Sequence, residues 1–370
     1  MDRRTFLKMS AALPAVSAMS HVPGVLSVAS AQQKEFTPRP GTWRAYEVTT
    51  RVEIIKPTGV TRVWIPLPAV EADYQKLQGS RWSGNAKVME PVTDPVYGAG
   101  ILYAEWPADE KAPVVEVVSR VQTQDRAIDW SKKMPARLDP AVVRKWTQPT
   151  DLMPTDGIVK DTADEITRGR KTDLEKTQAV YDWVLANTHR DPKVRGCGVG
   201  DIKAMLETKN FGGKCADLNG LFVGLTRAAG VPARDIYGIR VAPSAFGYRS
   251  LGAGSANISK AQHCRAEVFV QDYGWVAMDP ADVAKAAREE TSEWVKLDHP
   301  LIAPVRPKLF GGWEGNWVAY NVAHDVKLPH AQAGKIGFLM YPQAETAEGR
   351  RDSLDPDTFK YTITTRALGA

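Results

Sequence analysis

From Trp43 onward polar and apolar positions alternate. Tyr46, Val48, Thr50, Val52 and Ile54 share one face, and Glu47, Arg51 and Glu53 the other. A period of two carried by aromatic and β-branched side chains marks a half-buried strand. The signal returns over Val60 to Leu67, Ile101 to Trp106 and Val114 to Thr123, between breaks rich in Pro and Gly. No helical period precedes residue 140 or so. The pattern therefore predicts an all-β N-terminal domain over 32–150, built as a small sandwich.

Pro135, Pro140, Pro149 and Pro154, with mixed charges between them, mark a linker at 130–157. The period then changes. Thr172 and Glu175 have capping-box spacing ahead of Val180, Trp183, Val184 and Asn187, an i, i+3, i+4, i+7 run. Leu218, Leu221, Phe222 and Leu225 form a second helical stripe, which Gly230 and Pro232 end in the order that stops a helix. Strands are predicted next, over Arg234 to Val241, Arg265 to Gln271 and Trp275 to Asp279. Asp272-Tyr273-Gly274 joins the last two as a hairpin. Helices followed by antiparallel strands make the domain over 151–290 α+β. Residues 291–370 read as a C-terminal extension with short strands such as Phe359 to Thr365, and no internal repeat is visible.

Composition adds mainly exclusions. At 370 residues, 43% hydrophobic and 25% charged, the chain has the balance of a globular protein, not of a disordered or coiled-coil one. Its net charge of +5 falls to +3 once Arg3, Arg4, Lys8 and Asp2 are set aside, and no run of Lys or Arg occurs. Nucleic acid is thus not an expected partner. The first 31 residues have the layout of a signal peptide. Met1-Asp2-Arg3-Arg4-Thr5-Phe6-Leu7-Lys8 precedes a weakly apolar stretch from Met9 to Met19, and Ala29-Ser30-Ala31 offers a cleavage site. The segment resembles a twin-arginine export signal, which implies passage of the folded chain through that translocation machinery to a periplasmic or secreted location. Ser10, Pro14 and Ser17 make the apolar stretch too short and polar to span a bilayer. No later segment reaches the roughly 18 apolar residues a span requires, so no stable membrane anchor is expected.

The chemistry centres on Cys215, one of three cysteines with Cys197 and Cys264. It opens the second predicted helix, in Phe211-Gly212-Gly213-Lys214-Cys215-Ala216-Asp217. A thiol there meets the positive end of the helix dipole and unpaired N–H groups, which lower its pKa. The same N–H groups can stabilise an oxyanion. Gly212 and Gly213 leave room for a substrate backbone. His263 begins a strand and Asp279 ends its hairpin partner, so the fold-back sets a base and an orienting carboxylate side by side. Alternation turns Cys264 away from His263, to the opposite face of the sheet. Cys197 lies in a glycine-rich loop rimming the cleft, where pairing with Cys264 or with Cys215 is open. No C-x-x-C pair exists and His263 and Cys264 diverge, so zinc is not expected. An EF-hand run is absent, and Gly213-Lys214 leads to Cys rather than Ser or Thr, which removes calcium and phosphate loops. No metal and no cofactor is expected.

Three blocks together, Phe211 to Arg234, His263 to Val268 and Gly274 to Pro280, resemble the signature regions of transglutaminase-like cysteine enzymes. The resemblance spans about 155–285. It implies a papain-like core, often preceded by an accessory sandwich, with Cys215 as nucleophile, His263 as general base and Asp279 as orienter. Gly212, Gly213 and Trp275 are then expected at the substrate. The reaction implied is attack on a peptide or amide carbonyl through a thioester, resolved by water in preference to an amine. The expectation is an exported thiol-dependent hydrolase or acyltransferase acting on a peptide or protein, with cell-envelope material among the possibilities. The alternatives are a cross-linking transglutaminase and a non-catalytic adaptor on the same fold. Trp313, Trp317 and Tyr320 read as packing between lobes ahead of a ligand platform.

Overall fold

Residues 35–369 are described by the computed structural model, so the leader read over 1–31 lies outside the described residues. The alternation around Tyr46 folds as β1 (Arg44–Ile54), with Tyr46, Val48, Val52 and Ile54 buried and Arg51 exposed. It is followed by β2 (Thr61–Leu67), β3 (Gln75–Gly84), β4 (Val88–Thr93), β5 (Gly100–Trp106) and β6 (Val114–Thr123). The periodicity does not announce β3 and β4. Both are edge strands with few buried side chains, so they carry no apolar stripe to read.

The stretch read as a linker holds structure instead. Pro140 opens α1 (Pro140–Thr147) in the first turn, where its missing N–H costs nothing, and Asp139 caps it. α2 (Gly157–Ile166) follows, buried through Val159 and Ala163. α3 (Asp173–Asn187) starts at the predicted capping box: the Thr172 hydroxyl accepts from the Glu175 N–H, and the Glu175 carboxylate accepts from the Thr172 N–H. After α4 (Ile202–Thr208) comes α5 (Cys215–Ala228), every residue of which is buried. A helix enclosed on all sides is the central post of its domain.

β7 (Ala233–Arg240) leads to β8 (Gln262–Val270) and β9 (Gly274–Met278). The hairpin between the last two turns through Asp272 and Gly274, at φ 75° and 76°. The chain continues through α6 (Pro280–Glu289), β10 (Trp317–Asn321), β11 (Gln343–Thr346) and β12 (Phe359–Leu368). One antiparallel sheet, in the order β9-β8-β7-β10, supports α5. Two more sheets carry β12-β1-β6-β3 and β11-β2-β5-β4. β10, β11 and β12, all after residue 290, thus lie one in each of these three sheets. Helices on an antiparallel sheet make the α+β arrangement the sequence predicts. Trp313, Trp317 and Tyr320 are buried packing residues, the two indoles flanking the Arg265 guanidinium.

Candidate active site

The start of α5 is held by its own third residue. Asp217 accepts from the N–H of Lys214 at 2.9 Å and from those of Val199 and Gly200 at 2.9 Å each. The Ala216 N–H donates to the Cys197 carbonyl at 2.9 Å. The glycine loop over 196–200 is thereby tied to the start of α5, and Cys197 comes beside Cys215. Gly212 and Gly213 pair with His189 and Arg190. A Cβ on Gly213 would stand 2.6 Å from the Asp217 Cβ, and one on Gly212 2.8 Å from the His189 ring. These glycines permit close packing behind the helix start, and neither lines the cavity described next.

Cys215 is 3% exposed and opens onto a cavity of about 650 Å³ also lined by Cys197, Arg240, His263 and Tyr341. Hydrogen bonding with the Cys197 and Cys264 thiols, and more weakly with His263, outweighs burial and holds the Cys215 thiol well below the ordinary range. The positive end of α5 acts in the same direction. The neighbours move the other way. Hydrogen bonding to Cys215 and burial push Cys197 well up, and burial and then Cys215 do the same to Cys264. Of the three buried thiols, Cys215 is the one whose pKa is drawn down.

Strand register explains how His263 meets Asp279. Pairing of β8 with β9 runs from Val270↔Gly274 to Ala266↔Met278, which leaves Asp279 beside Arg265. His263 and Arg265, two residues apart, share a face. The Asp279 Oδ2 accordingly lies 2.8 Å from His263 Nε2 and 3.6 Å from Arg265 Nε. Its Oδ1 accepts from the Asp282 N–H at 3.0 Å, capping α6, and from Asn219 Nδ2 at 3.2 Å. With Nε2 committed to a carboxylate, Nδ1 is the ring nitrogen left for the thiol.

Sequence reasoning missed three supporting residues. Asn219, one turn into α5, braces Asp279. The Asp282 Oδ1 stands 3.4 Å from His263 Nε2 and pairs with buried Arg240 at 2.5 Å. Burial and Arg240 depress the His263 pKa, but Asp282 and Asp279 more than offset them and leave it raised. Asp282 was readable in principle, because Asp-Pro-Ala-Asp sets two carboxylates three residues apart on one helix turn. Arg240, arriving from β7, gives no local signal. The ligand atoms of His263, Asp279 and Asp282 lie within 4.8 Å of one another. Two guanidiniums already face those carboxylates, which makes the trio an ion-pair network rather than a metal's donor set.

The expected place of Trp275 at the substrate changes as well. Trp275 lies far from the cavity, with its ring 4.2 Å over Arg234 and edge-on to Phe269 and Trp146. It pairs with Phe269, six residues along the strand from His263, so roughly 20 Å separates them at about 3.3 Å per residue. Cys264, read as turned away from His263, is buried and does not line the cavity. It shares a buried cluster with Cys215, Cys197 and Tyr237.

The model of the transglutaminase-like superfamily matches residues 160–280, the span that contains Cys215, His263 and Asp279. An uncharacterized protein of Haemophilus influenzae is 36% identical over 342 residues, covering 87% of this chain and 91% of that protein. The crystal structure of a candidate cysteine protease from Cytophaga hutchinsonii is similar in fold. Its TM-score is 0.52 at 12% identity, over 89% of this chain and 92% of that one. The periplasmic domain of TgpA from Pseudomonas aeruginosa matches at a TM-score of 0.36 and 17% identity, over 69% of this chain and 74% of that domain.

Proposed function

We propose, for a chain that belongs to one family with the Haemophilus influenzae protein and carries a transglutaminase-like core, a thiol-dependent hydrolysis of peptide or amide bonds. One observation carries this reading. A thiol held low opens onto a cavity it shares with His263, whose other ring nitrogen is fixed 2.8 Å from a buried carboxylate.

In this mechanism the Cys215 thiolate attacks the carbonyl carbon, and the Cys215 N–H at the start of α5 steadies the oxyanion. The C–N bond then breaks as the His263 imidazolium passes its proton to the leaving amine, and a thioester remains. Water, deprotonated by His263, attacks the thioester and releases the acid and the thiol. Asp279 holds the ring throughout and stays ionised. The reading includes export, supported by the Arg3-Arg4 leader and its Ala29-Ser30-Ala31 site. Among the described residues no helix is long and apolar enough to cross a membrane.

Thiol reactivity near neutral pH tests the proposal. Cys215 alkylates at least about tenfold faster than Cys197 and Cys264, and slows when His263 is replaced by Ala. Equal, slow labelling of all three would sink it. A peptide offered with excess amine then separates hydrolysis from transfer by product mass, with free acid as the main expected product.

A further inference from the structure

We infer that the Cys215 cavity selects an acidic peptide, one that carries carboxylate side chains close to the amide bond under attack. This rests on the function proposed above and names what that cavity holds. Arg190, Arg195, Lys214, Lys260, Lys285 and Lys360 line it together with the buried Arg240, and among the described residues no Asp or Glu does. The chain as a whole carries 48 Lys and Arg against 43 Asp and Glu, so a lining of one sign is a local concentration and not an average.

Part of that charge is left uncancelled. Arg190 and Lys285 share a single carboxylate, Glu289, at 2.7 and 2.9 Å. Arg240 answers Asp282, Arg195 answers Asp352 at 2.6 Å, and Lys360 reaches Glu53 at 3.4 Å. Lys214 and Lys260 have no ion pair among the described residues. Their placement matters as much as their number. Lys214 directly precedes the nucleophile, and Lys260 stands three residues before His263, on the loop that enters β8. The free ammonium groups therefore flank the reacting pair from its two strands of supporting chain. A cleft with low-dielectric walls focuses such a field, raises the local concentration of anionic groups and repels basic segments. Lys214 is half-buried and Lys260 exposed, so salt screens the field of the second more than that of the first.

Two measurements on the full-length mature chain decide the matter. In the first, Cys215 is alkylated with iodoacetate and with iodoacetamide, and the rate ratio is compared with that of glutathione. The expected ratio exceeds glutathione's by about fivefold at low salt and relaxes toward it in about 0.5 M salt. In the second, two amide peptides differ only by Glu against Gln on both sides of the scissile bond. The Glu peptide has the higher kcat/KM by about tenfold, mostly through KM. Lys214→Gln with Lys260→Gln draws the first ratio toward glutathione's and the second toward one, while a thermal melt reports that the double variant is folded. A reactive Cys215 with glutathione's ratio, or equal cleavage of the two peptides, overturns this inference alone. A Cys215 no faster than Cys197 overturns the proposed function and the inference with it.

Discussion

His263 stands between two carboxylates, Asp279 at 2.8 Å and Asp282 at 3.4 Å from its Nε2, with Arg240 opposing them. The charge of Asp282 raises the imidazole alongside the charge and the hydrogen bond of Asp279, so it helps set how long the imidazolium survives as pH rises. The kcat/KM profile follows: its acid limb tracks ionisation of Cys215, below the ordinary thiol range, and its alkaline limb tracks loss of the His263 proton, above the ordinary imidazole range. Asp282→Asn removes a negative charge beside the ring, so the alkaline limb moves to lower pH while the acid limb stays below the ordinary thiol range. A pH–rate profile on the variant, taken where its melting curve shows it folded, checks this. An alkaline limb that does not move counts against the role given to Asp282. At this scale the sequence marks the positions of Cys215, His263 and Asp279, because each sits at an element terminus of the local pattern. It does not mark Arg240, whose partner is 42 residues away.

Asp279 belongs to two elements at once. It ends the β8–β9 hairpin and is the N-cap of α6, accepting from the Asp282 N–H while its other oxygen holds His263. The two roles separate by substitution. Asp279→Asn keeps a good cap but loses the charge and the acceptor that set the tautomer. Its kcat falls by about 10²–10⁴ with little change in melting temperature. Asp279→Ala loses both, and adds a stability cost of about 1–2 kcal/mol. Steady-state kinetics beside thermal melts tell them apart, and equal stability of the two variants would deny the capping role. Elements with a buried stripe and a cap, α3 and α5, are legible from sequence. The proline-marked α1 and the exposed edges β3 and β4 are not, since a helix opening on Pro and a strand with few buried residues leave no apolar period.

Across the whole molecule, the C-terminal strand β12 pairs along the length of β1, from Ala45↔Leu368 to Ile54↔Phe359. It buries Phe359 and Ile363, and Phe359, Lys360 and Tyr361 reach the wall of the Cys215 cavity. The last strand therefore closes a sheet begun by the first and shapes the site at the same time. A chain ending at residue 354 leaves β1 with an open edge and the cavity without that wall. The expected outcome is loss of cooperative melting and of fast Cys215 alkylation. A truncated chain that melts like the full one would refute this. Ile363→Ala, a milder change, costs about 2–5 kcal/mol in a denaturant titration.

What the sequence determined by itself is whatever neighbours along the chain can encode. Alternation wrote β1, β5 and β6, caps and stripes wrote α3 and α5, and turn residues wrote the hairpin that carries His263 toward Asp279. Tertiary structure decided which distant segments meet: β12 against β1, Arg240 against Asp282, and Lys214 and Lys260 around one cavity. The reason is physical. Periodicity and capping depend on contacts within a few residues, whereas a cavity's lining, and the field inside it, depend on side chains that only the folded chain brings within a Debye length of each other.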